Sequence, residues 1–400
     1  MKVAIVSDLH LGYERFAEDS YVQAEEALAK AAELSDMIII PGDVFDVRNP
    51  RLEVLAHGVN IFRNLAKRQW KARVVSYSGA RMIHTDIPII VIPGTHERRA
   101  QGAGNSVELL SLAGLLVDVS DSTAEVEKGG ERVAVFGLGG LSEEKVKEVL
   151  AQLGPKPVDG AFNIFMFHQS THELLPFSKD FITFDDLPKG FDLYVDGHIH
   201  NKVIDKVHGK PFLIPGSTVL TQLKDGEQEG KGFFVFDTKT NAYEFIRINS
   251  REFYVESVKV DGKRITEIEQ EVSKHIDKIL AKSKEKPIIR IILEGEMKEG
   301  YKQADIDLSD TLKRYKEKAI LEVSKGKIDD KETESEIESL RKGSVESVSV
   351  RDYGLSIFIE QLKKSGYGMK KSPSELFDLL SSDQKKDKII SEAMETLFAQ

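Results

Sequence analysis

The chain has 400 residues, with 56 basic and 66 acidic side chains and a formal net charge of −10. This acidic balance argues against a protein that passively coats nucleic acid, but not against an enzyme that binds metal ions. The absence of cysteine excludes disulfides, thiolate zinc sites and cysteine nucleophiles. The sequence has neither the roughly 20-residue apolar run of a membrane-spanning helix nor a signal-peptide pattern. We therefore expect a cytoplasmic protein without membrane contact.

Short apolar runs alternate with helical patterns along the first 250 residues. The runs, rich in Val, Ile and Phe, are typical of strands buried on both faces, and they lie at 3–6, 37–40, 87–92, 133–136, 162–167, 193–195, 212–214 and 233–236. Helical periodicity appears at 21–34, 52–70, 106–116 and 142–153. The alternation predicts an α/β fold in which helices flank a β-sandwich, with residues 1–250 as its domain.

The composition changes near residue 250. Apolar runs at 253–260 and 287–293 predict strands, and the pattern at 266–281 predicts a helix, so we expect a small α/β domain over 251–325. Residues 326–350 are highly charged and are typical of a linker. Residues 351–400 carry apolar residues at near-helical spacing, which favours helices that dock on a partner protein over helices that fold back on their own chain.

Five polar clusters follow predicted strands, namely SDLH at 7–10, PGD at 41–43, PGTH at 93–96, FHQ at 167–169 and DGHIH at 196–200. Ligands of open α/β sheets bind beyond the carboxyl ends of the strands, so these clusters predict one site assembled from distant segments. Each cluster alone is a weak signal, since an Asp such as Asp43 is often only a turn residue.

The order and chemistry of the set make the signal strong. Oxygen and imidazole ligands without thiolate suit Mn²⁺, Fe²⁺ or Zn²⁺. Two cations that share a carboxylate form a clamp for phosphate-ester hydrolysis. The sequence therefore predicts a two-metal site for phosphoester cleavage built from Asp8, His10, Asp43, Thr95, His96, His168, His198 and His200.

The motifs DLHLG, GDVFD, GTHE, FHQ and DGHIH resemble the five motifs of the calcineurin-like metallophosphoesterases. Within that superfamily they are similar to the meiotic-recombination-eleven (Mre-eleven) nucleases of archaeal type and their bacterial SbcD relatives. The resemblance implies a metallophosphoesterase sandwich at 1–250, a capping domain that binds DNA at 251–325, and helices at 351–400 that bind a Rad-fifty-like ATPase.

The resemblance also implies a role for each site residue and the class of substrate. Two Mn²⁺ ions are expected, with Mg²⁺, Fe²⁺ or Zn²⁺ as alternatives. His96 would orient the phosphate or protonate the leaving oxygen. The implied activity is exonuclease and endonuclease cleavage of double- and single-stranded DNA ends in double-strand break repair, by a homodimer at the nucleoid. In the implied ligand set, Asp8, His10 and His200 hold the first metal, Asp43 bridges, and His168, His198 and the residue at position 95 hold the second.

Two positions depart from the family pattern. Thr95 stands where the family usually has an Asn whose carbonyl binds the second metal, so we predict weaker affinity at that site. Asp46 stands where many Mre-eleven proteins have a His implicated in exonuclease action, so we expect endonuclease competence more firmly than exonuclease strength.

Other basic and apolar residues are weaker candidates. Arg98 and Arg99 follow the third motif and are our first choice for contact with DNA phosphates, although most surface cations only aid solubility. The apolar residues of 52–70 and 106–116 are typical of helices packed on a sheet, and only the resemblance implies that these helices form a dimer interface.

Two alternative functions stay open at this point. A phosphodiesterase for a small molecule, such as a cyclic nucleotide, would share the metal site but would not need the helices at 351–400. A DNA-end tether with weak catalysis at the altered Thr95 position would bind DNA without metal-dependent cleavage. Cleavage assays and partner binding distinguish the three readings.

Overall fold

The computed structural model describes residues 1–78, 86–98, 104–176, 181–224, 226–298 and 300–329. Its strands are β1 (Lys2–Ile5), β2 (Met37–Pro41), β3 (Arg73–Tyr77), β4 (Ile89–Ile92), β5 (Val117–Asp118), β6 (Ser122–Lys128), β7 (Glu131–Leu138), β8 (Phe162–Phe167), β9 (Leu193–Asp196), β10 (Val203–Val207), β11 (Lys210–Ile214), β12 (Gly232–Asp237), β13 (Ala242–Arg247), β14 (Phe253–Lys259), β15 (Ile288–Glu296) and β16 (Ile320–Asp329). The α-helices are α1 (Ala17–Leu34), α2 (Leu52–Ala66), α3 (Ser106–Leu112), α4 (Glu143–Leu153), α5 (Ile265–Leu280) and α6 (Ser309–Tyr315).

Two sheets form the first part of the chain. The first has the strand order β13-β12-β1-β2-β4-β5, and β1, β2, β4 and β5 run parallel. The second has the order β10-β11-β9-β8-β7-β6-β3, with β7, β8, β9 and β11 parallel. Parallel strands have their carboxyl ends on one edge, so each sheet presents several strand ends side by side.

One hydrophobic core fills the space between the two sheets. Val3, Ile39 and Ile92 of the first sheet belong to the same buried cluster as Val135 and Met166 of the second. The opposite face of the first sheet packs on α1, α2 and α3, and that of the second packs on α4. The predicted β-sandwich flanked by helices is therefore confirmed.

The helices form where apolar residues recur at helical spacing, and they end where local geometry stops them. On α1, Ala24, Ala27, Leu28 and Ala31 are fully buried on one face. The helix predicted at 106–116 ends at Leu112, because Gly114 adopts a left-handed φ of +69° two residues later. The helix predicted at 52–70 likewise ends early, at Ala66.

Several strands were missed because their sequences lack the continuous apolar runs that are typical of buried strands. On β6, Ala124 and Val126 face the core while Glu125 and Glu127 lie on the other face. The pattern is clear only once β7 pairs with β6 along its whole length. The edge strands β3, β10 and β13 have even fewer buried positions, so tertiary pairing decides their conformation.

A third sheet, with the order β14-β15-β16, follows the sandwich. The helix α5 connects the parallel strands β14 and β15, and its buried face includes Ile268, Val272 and Ile276. β16 continues to Asp329, four residues into the segment predicted as a linker from 326. The remainder of that segment and the predicted helices at 351–400 lie outside the described residues.

The chain divides into two compact units. The larger consists of Met1–Lys259, Arg264–Glu294 and Asp307–Lys327, so it runs across the boundary predicted at 250. Of the described residues, the smaller comprises Val260–Lys263, Gly295–Ile306 and the two residues Ile328 and Asp329; within it Asp261 accepts a hydrogen bond from the backbone N–H of Glu296. Among the helices of the described ranges, none has the length and apolar character that a membrane span requires.

Candidate metal centre

The predicted site residues lie at the carboxyl ends of five strands. Asp8 and His10 follow β1, Asp43 follows β2 and His96 follows β4, all in the first sheet. The second sheet supplies three imidazoles after β8 and β9, those of His168, His198 and His200. The sandwich thereby brings residues almost 200 positions apart into direct contact.

The backbone of this region is unusual. Eight non-glycine residues in the described ranges have a positive φ, and four of them are Asp8, His10, Asp43 and His198. A left-handed backbone costs free energy for residues with a Cβ, and such strain concentrates at functional sites. The strand ends therefore bend sharply to aim these side chains into one place.

The first cluster consists of Asp8, His10 and His200, whose potential ligand atoms all lie within 4.8 Å of one another. The Nε2 atoms of the two histidines are 3.1 Å apart, and His200 Nε2 lies 4.0 Å from Asp8 Oδ1. Asp8 and His10 are buried. This arrangement of one carboxylate and two imidazoles suits a divalent cation.

The contact between His10 Nδ1 and Asp46 determines which ring nitrogen of His10 faces the first cluster. His10 Nδ1 lies 3.1 Å from Asp46 Oδ1. A carboxylate can only accept a hydrogen bond, so Nδ1 carries a proton and Nε2 is the nitrogen that faces the first cluster. Asp46 thus gives His10 the tautomer that metal binding requires, as carboxylate partners do in metal sites.

The second cluster consists of Asp43, His168 and His198. His168 Nε2 is buried and makes no hydrogen bond to any described residue, although it lies 3.2 Å from Asp43 Oδ2. Its Nδ1 lies 2.7 Å from the carbonyl oxygen of Pro41, which can only accept, so Nδ1 is the donor. A buried nitrogen without a hydrogen bond, beside a carboxylate, fits a cation site.

Asp43 belongs to the second cluster and lies close enough to Asp8 and His10 of the first cluster to influence their pKa values. Its Oδ2 faces His168, and its Oδ1 accepts a 2.9 Å hydrogen bond from the backbone N–H of His96. The Thr95 hydroxyl oxygen lies 3.4 Å from His198 Nδ1, at the edge of the second cluster. The structure therefore brings together all eight predicted residues, including Thr95.

His96 lies beside the first cluster. Its ring centre is 5.0 Å from that of His10, and its Nδ1 donates to the carbonyl oxygen of Asp46. The ring is 40% exposed, and with Nδ1 occupied, Nε2 is the nitrogen left to exchange a proton. Arg98 is half-buried after this motif, and Arg99 lies outside the described residues.

The electrostatics of the site favour neutral imidazoles at two positions. Burial is the largest influence on His200 and His198 and lowers their pKa values to about 2 and about 4. Burial opposes a charge on His168 as well, but the Asp43 carboxylate outweighs it and raises the pKa of His168 to about 10. A positive charge is thus favoured between Asp43 and His168, as expected where a cation binds.

Glu97 supports the loops of the site. It belongs to the third motif, but nothing else in the sequence indicated its role. Its fully buried carboxylate accepts 2.6 Å and 2.8 Å hydrogen bonds from the backbone N–H groups of Phe45 and Gly94. Burial raises the pKa of Glu97 to about 7. Glu97 ties the loop after β2 to the loop after β4, and its position directly after His96 was the only available signal.

Comparison with known proteins agrees with this geometry. The model of the family described as calcineurin-like phosphoesterase matches residues 1–202, which include all five motifs. The DNA double-strand break repair protein Mre11 of Sulfolobus acidocaldarius is 27% identical over 316 residues, covering 74% of this chain and 75% of that protein.

Plant proteins are similar over a comparable part of the chain. The double-strand break repair protein MRE11 of Oryza sativa subsp. indica is 28% identical and covers 70% of this chain and 47% of its own length. MRE11 of Arabidopsis thaliana is 27% identical, and the match covers 77% of this chain and 50% of that protein. The chain thus spans about half the length of these plant relatives. By its motifs, its fold and the match over residues 1–202, the chain belongs to the calcineurin-like phosphoesterase family, and within it is similar to the Mre11 proteins.

Proposed function

We propose that this chain is an Mn²⁺-dependent DNA nuclease that hydrolyses phosphodiester bonds at DNA ends, as exonuclease and endonuclease, in double-strand break repair. The observation that carries the proposal is the pair of Asp and His clusters at the strand ends, one of Asp8, His10 and His200 and the other of Asp43, His168 and His198. The similarity to proteins named for DNA double-strand break repair supports DNA as the substrate.

The donor set fits two divalent cations of intermediate hardness, for which we propose Mn²⁺. Such a pair supplies polarisation of the phosphoryl oxygens and activation of the attacking water. In the proposed assignment the first position is held by Asp8, His10 and His200, the second by His168, His198 and Thr95, and Asp43 serves both.

His96 is the proposed proton donor. Its Nδ1 is held by the Asp46 carbonyl, so the ring is oriented and Nε2 points away from that contact. Water attacks phosphorus and loses a proton to solvent, the bond to the 3′ oxygen breaks, and the proton on Nε2 passes to that oxygen. The partial exposure of the ring leaves room for a phosphodiester beside it.

Cleavage assays with matched variants test this assignment. End-labelled and circular DNA are incubated with Mn²⁺ and wild type, His96→Ala, Asp43→Ala or, as a control, His275→Ala, whose ring contacts Glu256 away from the clusters. We expect cleavage by wild type and the control, and a loss of about 100-fold or more in the other two. Turnover of a small phosphodiester without cleavage of any DNA would contradict DNA as the substrate.

The partners are also part of the proposal. We propose that residues 351–400 bind a Rad-fifty-like ATPase, and that exposed leucines on α2 and α3 contribute to a homodimer. Deletion of 351–400 should abolish ATPase binding in a pull-down while Mn²⁺-dependent cleavage of DNA persists. Retained binding of the ATPase by the shortened chain would overturn this role for the segment.

A further inference from the structure

A buried ion pair lies behind the first cluster. Lys231 Nζ is 2.6 Å from Glu227 Oε1, and both residues are less than 5% exposed. Nζ also donates to Ser217 Oγ at 2.9 Å and to the carbonyl oxygen of His200 at 3.1 Å. Charged groups are rarely buried without a structural or functional reason, because leaving water is costly unless every charge is paired.

The carboxylate of this pair holds a loop. Glu227 accepts hydrogen bonds from the backbone N–H groups of Thr221 and Gln222, at 3.2 Å and 3.1 Å. Both residues lie in the loop between β11 and β12 and belong to no strand. The two hydrogen bonds to Glu227 therefore fix the backbone at Thr221 and Gln222.

Thr221 uses all of its polar groups in this arrangement. Its N–H donates to Glu227, its carbonyl oxygen accepts a 2.8 Å hydrogen bond from the Tyr13 hydroxyl, and its Oγ1 lies 2.5 Å from His200 Nδ1. The backbone of Thr221 is thus held on two sides, by Glu227 and by Tyr13, while its hydroxyl contacts the imidazole of His200.

The contact determines how His200 faces the first cluster. With Nδ1 engaged by Thr221, the Nε2 atom is the one that lies 3.1 Å from His10 Nε2 and 4.0 Å from Asp8 Oδ1. A partner on the outer nitrogen orients a metal-binding imidazole. A hydroxyl that accepts from Nδ1–H leaves Nε2 free to bind a cation, so Thr221 orients His200 as Asp46 orients His10.

From these contacts we infer that Thr221 is a positioning residue for His200, held in place by the buried Lys231–Glu227 pair and by Tyr13. The inference rests on the proposed two-metal site. It assigns to the loop between β11 and β12 a function that none of the five motifs contains: it tunes the affinity of the first cation position and leaves the second unchanged.

The test is calorimetric titration with Mn²⁺ of the full chain carrying His198→Ala, which leaves the first position to be measured alone. Added Thr221→Val removes the hydroxyl at nearly constant volume, and Thr221→Ser restores it. The matched control is Thr218→Val, because Thr218 lies on the same loop, is fully buried, and has a hydroxyl without a partner among the described residues.

We expect Thr221→Val to weaken Mn²⁺ binding about 10- to 100-fold, and Thr221→Ser and Thr218→Val to bind within about 2-fold of the parent. Tyr13→Phe, which removes only the hydrogen bond to the Thr221 carbonyl, should weaken binding by a smaller factor. This second variant keeps the inference testable if Thr221→Val does not fold.

The two proposals fail in different ways. Unchanged Mn²⁺ affinity in folded Thr221→Val, or in Tyr13→Phe where Thr221→Val does not fold, would overturn the positioning role alone. Equal losses in Thr221→Val and Thr218→Val would also overturn it, since a general loosening of the loop would then explain both. No Mn²⁺ binding by the wild-type chain would overturn the proposed metal centre and this inference together, whereas binding without DNA cleavage would contradict only the nuclease.

Discussion

Two side chains contact the outer nitrogens of the histidines in the first cluster, and they differ in chemistry. Asp46 holds His10 through a carboxylate, whereas the Thr221 hydroxyl holds His200. A carboxylate raises the basicity of the imidazole it contacts more than a hydroxyl does. Consistent with this, burial lowers the pKa of His200 to about 2, while on His10 the hydrogen bond and charge of nearby carboxylates outweigh burial and raise its pKa.

Replacing Asp46 should therefore weaken the first cation position. Asp46→Ala removes the acceptor on His10 Nδ1, and we expect about 10- to 100-fold weaker Mn²⁺ binding. Asp46→Asn keeps an acceptor oxygen and should retain most of the affinity. Titration calorimetry measures both variants; wild-type affinity in Asp46→Ala would show that His10 needs no such partner.

Thr95 gives a second prediction about a single residue. Its hydroxyl reaches a shorter distance than the amide of an Asn, so the second position should bind Mn²⁺ more weakly than the first. Thr95→Asn should strengthen the second position, and Thr95→Val should weaken it further. Calorimetry with Mn²⁺ separates the two affinities, and two equally tight sites in the wild-type chain would contradict the prediction.

The loops after β2 and β4 lie so close together that one position admits only glycine. A Cβ at Gly94 would overlap the carboxylate and the backbone nitrogen of Asp43. Glu97 then joins the same two loops through hydrogen bonds to Phe45 and Gly94. The geometry of Asp43 thus depends on the packing of two strand ends as well as on its own strand.

Gly94→Ala should distort this crossing. We expect the free energy of unfolding to fall by about 1–3 kcal/mol, because neither the side chain nor the backbone of Asp43 can move away freely. We also expect reduced Mn²⁺ affinity. Gly326→Ala is the control, since among the described residues its Cβ would meet only Ser324 Oγ, at 3.9 Å. Urea denaturation measures both, and equal effects of the two substitutions would refute the argument.

For the molecule as a whole, the property to test is the homodimer proposed above. Leu52, at the start of α2, is 80% exposed, and Leu109 and Leu112 on α3 are 50% and 53% exposed. Scattered exposed leucines are ordinary, so these three matter only in view of the homodimer proposed above. Their exposure in a single chain is consistent with a surface that another copy covers.

Sedimentation measurements test this interface. The double variant Leu109→Glu/Leu112→Glu should sediment as a monomer while wild type sediments as a dimer, because buried unpaired carboxylates would oppose association. Thermal stability of the single chain should change little, since both side chains are already exposed. Leu153→Glu on α4 is the matched control and should remain dimeric; a dimeric double variant would exclude this surface.

The amino-acid sequence alone was sufficient to predict the sandwich, the five motifs at its strand ends and the residues that cluster there. Buried parallel strands are continuous apolar runs, and the polar residues directly after them must lie at a sheet edge. Such local features can be read without knowing which strands are neighbours. The edge strands β3, β10 and β13 could not be read, because half-exposed strands lack such runs.

Only the tertiary structure decided which groups support the site. Lys231, Glu227 and Thr221 have no pattern that distinguishes them from surface residues, and in sequence they lie 21 to 31 positions from His200. Their role depends on β11 and β12 entering different sheets, which folds the loop between them back against His200. Lys231 becomes buried only when the two sheets pack against each other. Its contact with the His200 carbonyl likewise depends on the strand topology, because residues distant in sequence meet only in the folded chain.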